Sequence, residues 1–595
     1  MNNVVLEVTR KILERSKDKR TGYLSRMKKQ LEQGVNRSKL ACGNLAHVVS
    51  VCSKEDSSSI LDFTKINLGI ITSYNDMLSA HQPYEYYPEM IRATMRELGH
   101  TAQVAGAVPA MCDGVTQGQE GMDISMFSRD LIAQSTAVGL SHNTFDSNIL
   151  LGICDKIAPG QIMGALSFGH LPSCFMPSGP MSTGLTNDEK VKVRQQYAAG
   201  EISKAALQES ECKAYHSPGT CTFYGTANTN QLVFEAMGLM LPGSAFVPVN
   251  SELRHQLNIA TIKNMVSITG INARPLYKVV DEKSLVNSLV ALIASGGSTN
   301  HTIHMIAIAR AAGFILTWDD FDALSHVVPL LARVYPNGPS DINSFQEAGG
   351  VPTLLKMLND RGLIHMDATP VYGSMEDYLS IPQVENGELT FRAVEDSNNS
   401  EIIAPNGECF NTKGGLKMLS GNIGRGVMKI SAVADENHVV TAPAAVFDSQ
   451  YQVKEAYERG ELDKDAIVVV HHNGPAANGM PELHMLMPIL GNLMKKGYKS
   501  ALLTDGRLSG ASGKVPAVIH ITPEAQHGGL IGRIQDGDMI TINGTTSEVH
   551  VDADLESREA SIVDLSSLHC GSGRELFNIF RKNISSAETG ATILE

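Results

Sequence analysis

Cys154-Asp155-Lys156 sets a thiol, a carboxylate and an amine side by side, directly after the apolar run 149–153 and before Pro159-Gly160. The run reads as a short buried strand, and the Pro-Gly pair closes the loop beyond it. Open α/β sheets hold ligands outside the carboxyl ends of their strands, which is where these three residues fall. A soft thiolate next to a hard carboxylate can serve two different metals. One such tripeptide alone is ordinarily a buried cysteine beside a surface ion pair. Here the pairing recurs, because Cys112-Asp113 stands where another apolar stretch gives way to Gly114. A third cysteine, Cys221, lies in the small-residue loop Gly219-Thr220-Cys221-Thr222-Phe223-Tyr224-Gly225-Thr226-Ala227-Asn228-Thr229-Asn230.

The chain has 9 cysteines, an odd and scattered set with no C-x-x-C, which argues against both a disulfide framework and a usual zinc site. Three distant single cysteines brought together suit an iron–sulfur cluster with one iron lacking a protein ligand; three ordinary buried thiols are the alternative. Asp113, Asp155 and Glu482 are loop carboxylates that together could give Mg²⁺ its oxygen ligands. Glu482, just ahead of an expected helix, can equally be an acid favoured by the helix dipole. The stretch Thr504-Asp505-Gly506-Arg507-Leu508-Ser509-Gly510-Ala511-Ser512-Gly513-Lys514 follows a strand and reads as an oxyanion cradle or as a plain strand–loop–helix turn. Leu508 and Val515 exclude a Walker P-loop. The loop 295–301, containing Ser298 and Asn300, has the same two readings.

The elements that must position these residues alternate. Strands are expected at 68–73 and 149–153, and helices at 86–98, 126–140 and 231–239. Residues 186–212 are charged and helix-forming, carry no motif, and read as an inserted solvent-facing hairpin. A polar Gly/Pro-containing stretch, 373–390, is the candidate junction between an N-terminal unit 1–388 and a C-terminal unit 389–595. The second unit is β-rich at 426–433 and 438–442, then has strand 466–470, helix 483–496 and strand 500–504, and ends in hairpin-like 538–543 and 548–552. At 595 residues two domains are expected, and 43% hydrophobic with 19% charged residues is a globular composition. The net charge of −14 argues against nucleic acid as a partner, and no apolar span is long enough to cross a membrane. Residues 1–29 are basic and helical but contain Glu7, Glu14 and Asp18 and no apolar centre, so a surface helix of a cytoplasmic protein is expected.

Taken in order, Cys112-Asp113-Gly114, Cys154-Asp155-Lys156, Cys221 with Thr226-Ala227-Asn228-Thr229, Gly296-Gly297-Ser298-Thr299-Asn300, Gly479-Met480-Pro481-Glu482 and Asp505-Gly506-Arg507-Leu508-Ser509-Gly510 resemble the dihydroxyacid/sugar-acid dehydratase family. The likeness runs from about residue 66 to 552 and is nearest to the branch acting on a phosphorylated sugar acid. It implies an N-terminal α/β parallel-sheet domain holding an iron–sulfur cluster. It also implies a C-terminal β-barrel-like swivelling domain with flanking helices, delivering Glu482 and Ser509 to a cleft between the two.

Dehydrating a 2,3-dihydroxy acid means removing an unacidic C2 proton and expelling hydroxide from C3. The resemblance implies a cluster on Cys154, Cys221 and Cys112 as Lewis acid toward the C3 hydroxyl. It implies Mg²⁺ on Asp113, Asp155, Glu482 and a carbamylated Lys156, stabilising the charge that develops on deprotonation. Ser509 is then the base, as an alkoxide made accessible by nearby positive charge. One departure stands out: many family members carry their first cluster cysteine where this chain reads Ser79-Ala80-His81, so Cys112 is the inferred third ligand and [4Fe–4S] is favoured over [2Fe–2S]. The implied reaction turns 6-phospho-D-gluconate into 2-dehydro-3-deoxy-6-phospho-D-gluconate and water, in a homodimer or homotetramer. Ser298, Asn300, Arg425 and Lys514 are candidates for the phosphate. A non-phosphorylated aldonate or other 2,3-dihydroxy acid as substrate, and a non-catalytic iron–sulfur sensor, remain as alternatives.

Overall fold

A computed structural model describes residues 1–594 apart from 199, 271, 272 and 511. The first unit is organised on four parallel strands, β1 (Asn67–Thr72), β2 (Thr101–Ala107), β3 (Ser147–Leu151) and β4 (Ser173–Phe175), in the order β2-β1-β3-β4. β1 and β3 are buried along their whole length, as parallel strands covered on both faces are.

The expected N-terminal surface helix is α1 (Asn3–Glu32). One of its stripes is not at the surface: Val5, Val8 and Ile12 join the main core, and the Arg20 guanidinium donates to the carbonyls of Ala312 (2.7 Å) and Tyr277 (2.7 Å). Helices α2 (Ser125–Leu140) and α3 (Ile157–Leu166) pack so closely that a Cβ on Gly164 would lie 2.4 Å from the Ala133 carbonyl oxygen. The expected hairpin at 186–212 forms as α4 (Asn187–Ala198) and α5 (Lys204–Ala214). After it come α6 (Thr226–Ala236), α7 (Glu282–Ala294) and α8 (His301–Ala311). The helix expected at 231–239 begins five residues early. The polar run Thr226-Ala227-Asn228-Thr229-Asn230 is its first turn, with side chains returning to nearby backbone rather than breaking the helix.

Residues 373–390 include a short turn and most of an antiparallel pair, β5 (Ser380–Glu385) and β6 (Glu388–Ala393). Beside them Tyr378 is buried and donates to the Met240 carbonyl at 2.6 Å. The second unit is a closed eight-stranded barrel of β7 (Leu416–Gly421), β8 (Gly424–Lys429), β9 (Val439–Phe447), β10 (Ala466–Val470), β11 (Ser500–Thr504), β12 (Ala517–Thr522), β13 (Met539–Asn543) and β14 (Glu548–Val551). Its order is β10-β11-β12-β8-β7-β14-β13-β9. Period-two alternation explains why β10 is apolar throughout. Ile467 and Val469 fill the barrel, while Val468 and Val470 face outward into a second core with α9 (Leu486–Lys495).

The chain then returns to the first unit. Arg574 pairs with Asp123 at 2.9 Å, Phe577 and Phe580 pack on Phe127, and Thr592 donates to Asp130 at 2.7 Å. Among the described residues no helix is long and apolar enough to cross a membrane.

Candidate active site

Cys154, Asp155 and Lys156 sit at the carboxyl end of β3, as expected, and α3 begins immediately after them. The first turn of α6 ties this loop to that of Cys221. Asn230 donates to the carbonyls of Asp155 (3.2 Å) and Cys154 (3.4 Å), and Asn228 donates to those of Cys221 and Phe223 (both 2.8 Å). Cys112 precedes the one-turn helix Asp113–Thr116, and its thiol is hydrogen-bonded to that of Cys154. That bond lowers the Cys112 pKa against the effect of burial and, with burial, pushes Cys154 well up. Burial, then the neighbouring Cys112, pushes Cys221 up to about 12. Three free thiols from three segments thus share one pocket, a soft donor set. The loop 79–81 borders it, with the Ser79 carbonyl accepting from Gly219 N at 2.7 Å.

Beside the thiols, carboxylate oxygens of Asp113, Asp155 and Glu482 all lie within 4.8 Å of one another. Lys156 Nζ donates to Asp113 and stands 3.6 Å from Asp155. Arg507 reaches Asp113 at 3.0 Å and Glu482 at 3.3 Å, and its Nε donates to the Met480 carbonyl at 2.7 Å. Ser125 also donates to Asp113, and Gln117 donates to Glu482 at 2.6 Å. Burial alone would raise Asp113, but Lys156 and Arg507 hold its carboxyl well below the usual range. Burial raises Asp155 against the pull of Lys156. Burial and then the Asp113 charge push Glu482 up to about 7.

Glu482 arrives from the second unit. Its loop docks through Gly479, whose φ of +78° and whose contact with Asp123 O and Phe127, where a Cβ would lie 2.3 and 2.8 Å away, both demand glycine. A parallel bridge between Glu482 and Arg507 joins this loop to the one carrying Ser509, and also delays the helix expected at 483 until Leu486.

Ser509 lies half-buried in a turn closed by Ser512 N donating to its carbonyl at 2.9 Å. Asn300 secures the turn by donating to the Leu508 carbonyl (3.2 Å) and to Thr226 (3.1 Å), while the Ser298 hydroxyl bonds that of Thr226 at 2.8 Å. Asn300 thus ties the Ser509 loop to α6, while its own Oδ1 is buried without a hydrogen-bond partner among the described residues. Arg425 is elsewhere, on β8, clamped between Asp319 and Glu588. Lys514 is exposed, with its ammonium 5.2 Å from the centre of the Tyr335 ring. A separate trio, Asp448, His471 and His472, also brings ligand-type atoms within 4.8 Å, its two imidazoles linked Nδ1 to Nδ1 at 2.8 Å.

Sequence reasoning missed Arg507, Gln117 and Ser125 as parts of the site. For Arg507 a signal existed: three carboxylates expected in one pocket require buried cations, and Lys156 alone does not balance them.

Two family models match the chain: the Dihydroxy-acid/6-phosphogluconate dehydratase N-terminal model over residues 65–377 and its C-terminal counterpart over 401–591. The chain belongs to this family. It is 56% identical to the phosphogluconate dehydratase of Escherichia coli (strain K12) over the full length of both chains. It is 51% identical to that of Rhizobium meliloti (strain 1021) over 99% of each. The dihydroxy-acid dehydratase of Ignicoccus hospitalis is 32% identical over 80% of this chain and 85% of its own. Membership makes the chain a dehydratase, and the two clusters of ligand-type side chains are in keeping with a metal cofactor.

Proposed function

We propose that this chain is a hydro-lyase converting 6-phospho-D-gluconate to 2-dehydro-3-deoxy-6-phospho-D-gluconate and water. Full-length 56% identity to a phosphogluconate dehydratase carries the substrate, since the geometry alone fits any 2,3-dihydroxy acid. Cys112, Cys154 and Cys221 would hold an iron–sulfur cluster, read as [4Fe–4S], and Asp113, Asp155 and Glu482 would hold Mg²⁺. When bound, these supply Lewis acidity toward the C3 hydroxyl and toward charge growing on the substrate carboxylate. The hard oxygen set and the soft sulfur set lie next to one another, as that division of labour requires.

The chain's own groups do the rest. Ser509 takes the C2 proton, for which it must be an alkoxide. Positive charge on its own loop, Arg507 included, favours that form. Arg507 also holds Asp113 and Glu482 in place, so one residue couples the carboxylates of the first unit to the loop of the second. Lys156 follows from charge balance. Three carboxylates against Lys156 and Arg507 leave one net negative charge, and a dication added beside the ammonium would reverse it. Carbamylation of Lys156 exchanges its positive for a negative charge and restores the original balance with the dication present. We place the enzyme in the cytoplasm, as a homodimer or homotetramer, on the family likeness; nine unpaired cysteines suit a reducing compartment.

The test is anaerobic 2-keto acid release from 6-phosphogluconate, gluconate and 2,3-dihydroxyisovalerate, with Mg²⁺ supplied or chelated. Preference for the phosphorylated acid, abolished by chelation, is expected. Preference for an unphosphorylated acid would overturn the substrate. No release from any of them, with iron and sulfide present, would favour a sensor instead.

A further inference from the structure

The hairpin α4–α5 carries no motif, yet one of its side chains turns inward. Arg194 stays at the surface and pairs across the hairpin with Glu211 at 2.6 and 2.8 Å. Lys190, one turn earlier, is only 6% exposed. Its ammonium lies 5.7 Å from the centre of the Tyr215 ring and within Coulombic reach of Cys221, Arg194, Asp341 and Glu211. Among the described residues no carboxylate forms an ion pair with it. Glu211 is already committed to Arg194, and Asp341 accepts from Thr183 and from Ser344 N. Lys190 thus has its stem buried against Tyr215 and no carboxylate bound to its ammonium, which leaves that charge available to an anion from outside.

A second cation converges on the same place from a different part of the chain. Tyr335 lies within Coulombic reach of Arg194, and Lys514, five residues after Ser509, places its ammonium over the Tyr335 ring. The Tyr335 carbonyl accepts from Tyr224 N at 3.0 Å, three residues beyond Cys221. Arg194, within reach of both Lys190 and Tyr335, links the two places, so three cations from two segments lie in sequence beside the thiol pocket, in a chain whose net charge is −14. Arg425, by contrast, is saturated by two carboxylates.

We propose that Lys190, Arg194 and Lys514 form a phosphate subsite, with Lys190 as its buried anchor. The inference rests on the reading of 6-phosphogluconate as substrate. With C1 to C3 engaged at the carboxylates and thiols, the phosphate on C6 extends three carbons beyond the reacting centre toward this rim. A charge-assisted contact of this kind sets affinity and selection between substrates, because the phosphate takes no part in the bond changes.

The experiment uses the anaerobically prepared holoenzyme and its Lys190→Met, Lys190→Arg and Lys514→Met variants, with inorganic phosphate as competitive inhibitor. Lys190→Met is expected to weaken phosphate inhibition about 10–100-fold and to raise KM for 6-phosphogluconate far more than it lowers kcat. Lys190→Arg should recover part of both effects, and Lys514→Met should show a smaller shift in the same direction. A fall in kcat with KM and phosphate inhibition unmoved would overturn the subsite and leave Lys190 a structural neighbour of Cys221. If the wild type turns over no phosphorylated acid, the substrate reading fails by itself. Calorimetric titration of phosphate then decides the subsite: binding lost in Lys190→Met upholds it, and equal or absent binding overturns it.

Discussion

Arg507 is the cation that joins the carboxylates of the two units. It is 2% exposed, spans Asp113 and Glu482, and anchors the Met480 carbonyl. Replacing it with Met would leave both carboxylates buried with one cation fewer. Removal of one partner from such a set costs about 3–5 kcal/mol. Arg507→Met should therefore lower the unfolding free energy from chemical denaturation by that amount and reduce divalent-metal retention; an unfolding free energy within error of wild type would refute this account of its role. Ser509→Ala makes the complementary case. Its hydroxyl is proposed to act on the C2 proton, so turnover should fall about 10²–10⁴-fold while iron content stays at the wild-type value. Near-wild-type turnover would remove Ser509 from the mechanism.

Individual elements were legible where their side-chain period was unambiguous. The strands at 466–470 and 500–504 and the helix at 126–140 are written in continuous or strongly periodic apolar residues, and they form within a residue of expectation. Boundaries failed where polar side chains serve the backbone, as at Thr226-Ala227-Asn228, or where a partner from another loop holds the chain extended, as at Glu482. Glu235, at the end of α6, shows what an element can hide. It is fully buried, and its two carboxylate oxygens accept from Gly243 N (2.7 Å) and Ala245 N (2.9 Å). Burial outweighs those bonds and raises its pKa from 4.5 to about 7. Because the folded pKa exceeds the unfolded one, its contribution to stability is complete below about 4.5 and is lost as pH rises through about 7. Glu235→Gln should cost about 1 kcal/mol at low pH, for one backbone N–H left unpaired. It should also remove a pH-dependent loss on the order of 3 kcal/mol across that window. Parallel pH profiles of the two proteins' unfolding free energies would show the assignment to be wrong.

At the scale of the whole molecule, the thiols and carboxylates that the fold brings together each stand in a short motif, but their mutual placement depends on contacts no local pattern announces. Lys190 was invisible for this reason, since a lysine in a charged helical hairpin looks solvated until Tyr215 and the Cys221 loop close over it. The return of the C-terminal segment is equally silent in sequence. Residues 574–592 bind the first unit through Arg574–Asp123, Phe580 on Phe127, Arg129 to the Ala591 carbonyl (2.6 Å) and Thr592–Asp130. They also bind the barrel through Glu588–Arg425. Phe127 meets this segment and Gly479 of the Glu482 loop as well, two residues from the serine that donates to Asp113. The segment thus braces the interface on which assembly of the carboxylate cluster depends. Deleting residues 574–595 should uncouple the two units, replacing one cooperative thermal transition by two and lowering metal content and turnover together. Phe580→Ala, which keeps the segment and removes only its buried ring, should cost about 3–5 kcal/mol with a smaller loss of metal. If the truncated chain instead melted in one transition at the wild-type temperature with its metal retained, the brace would be dispensable, and the Glu482 loop would have to be held by Gly479 and the Arg507 ion pairs alone.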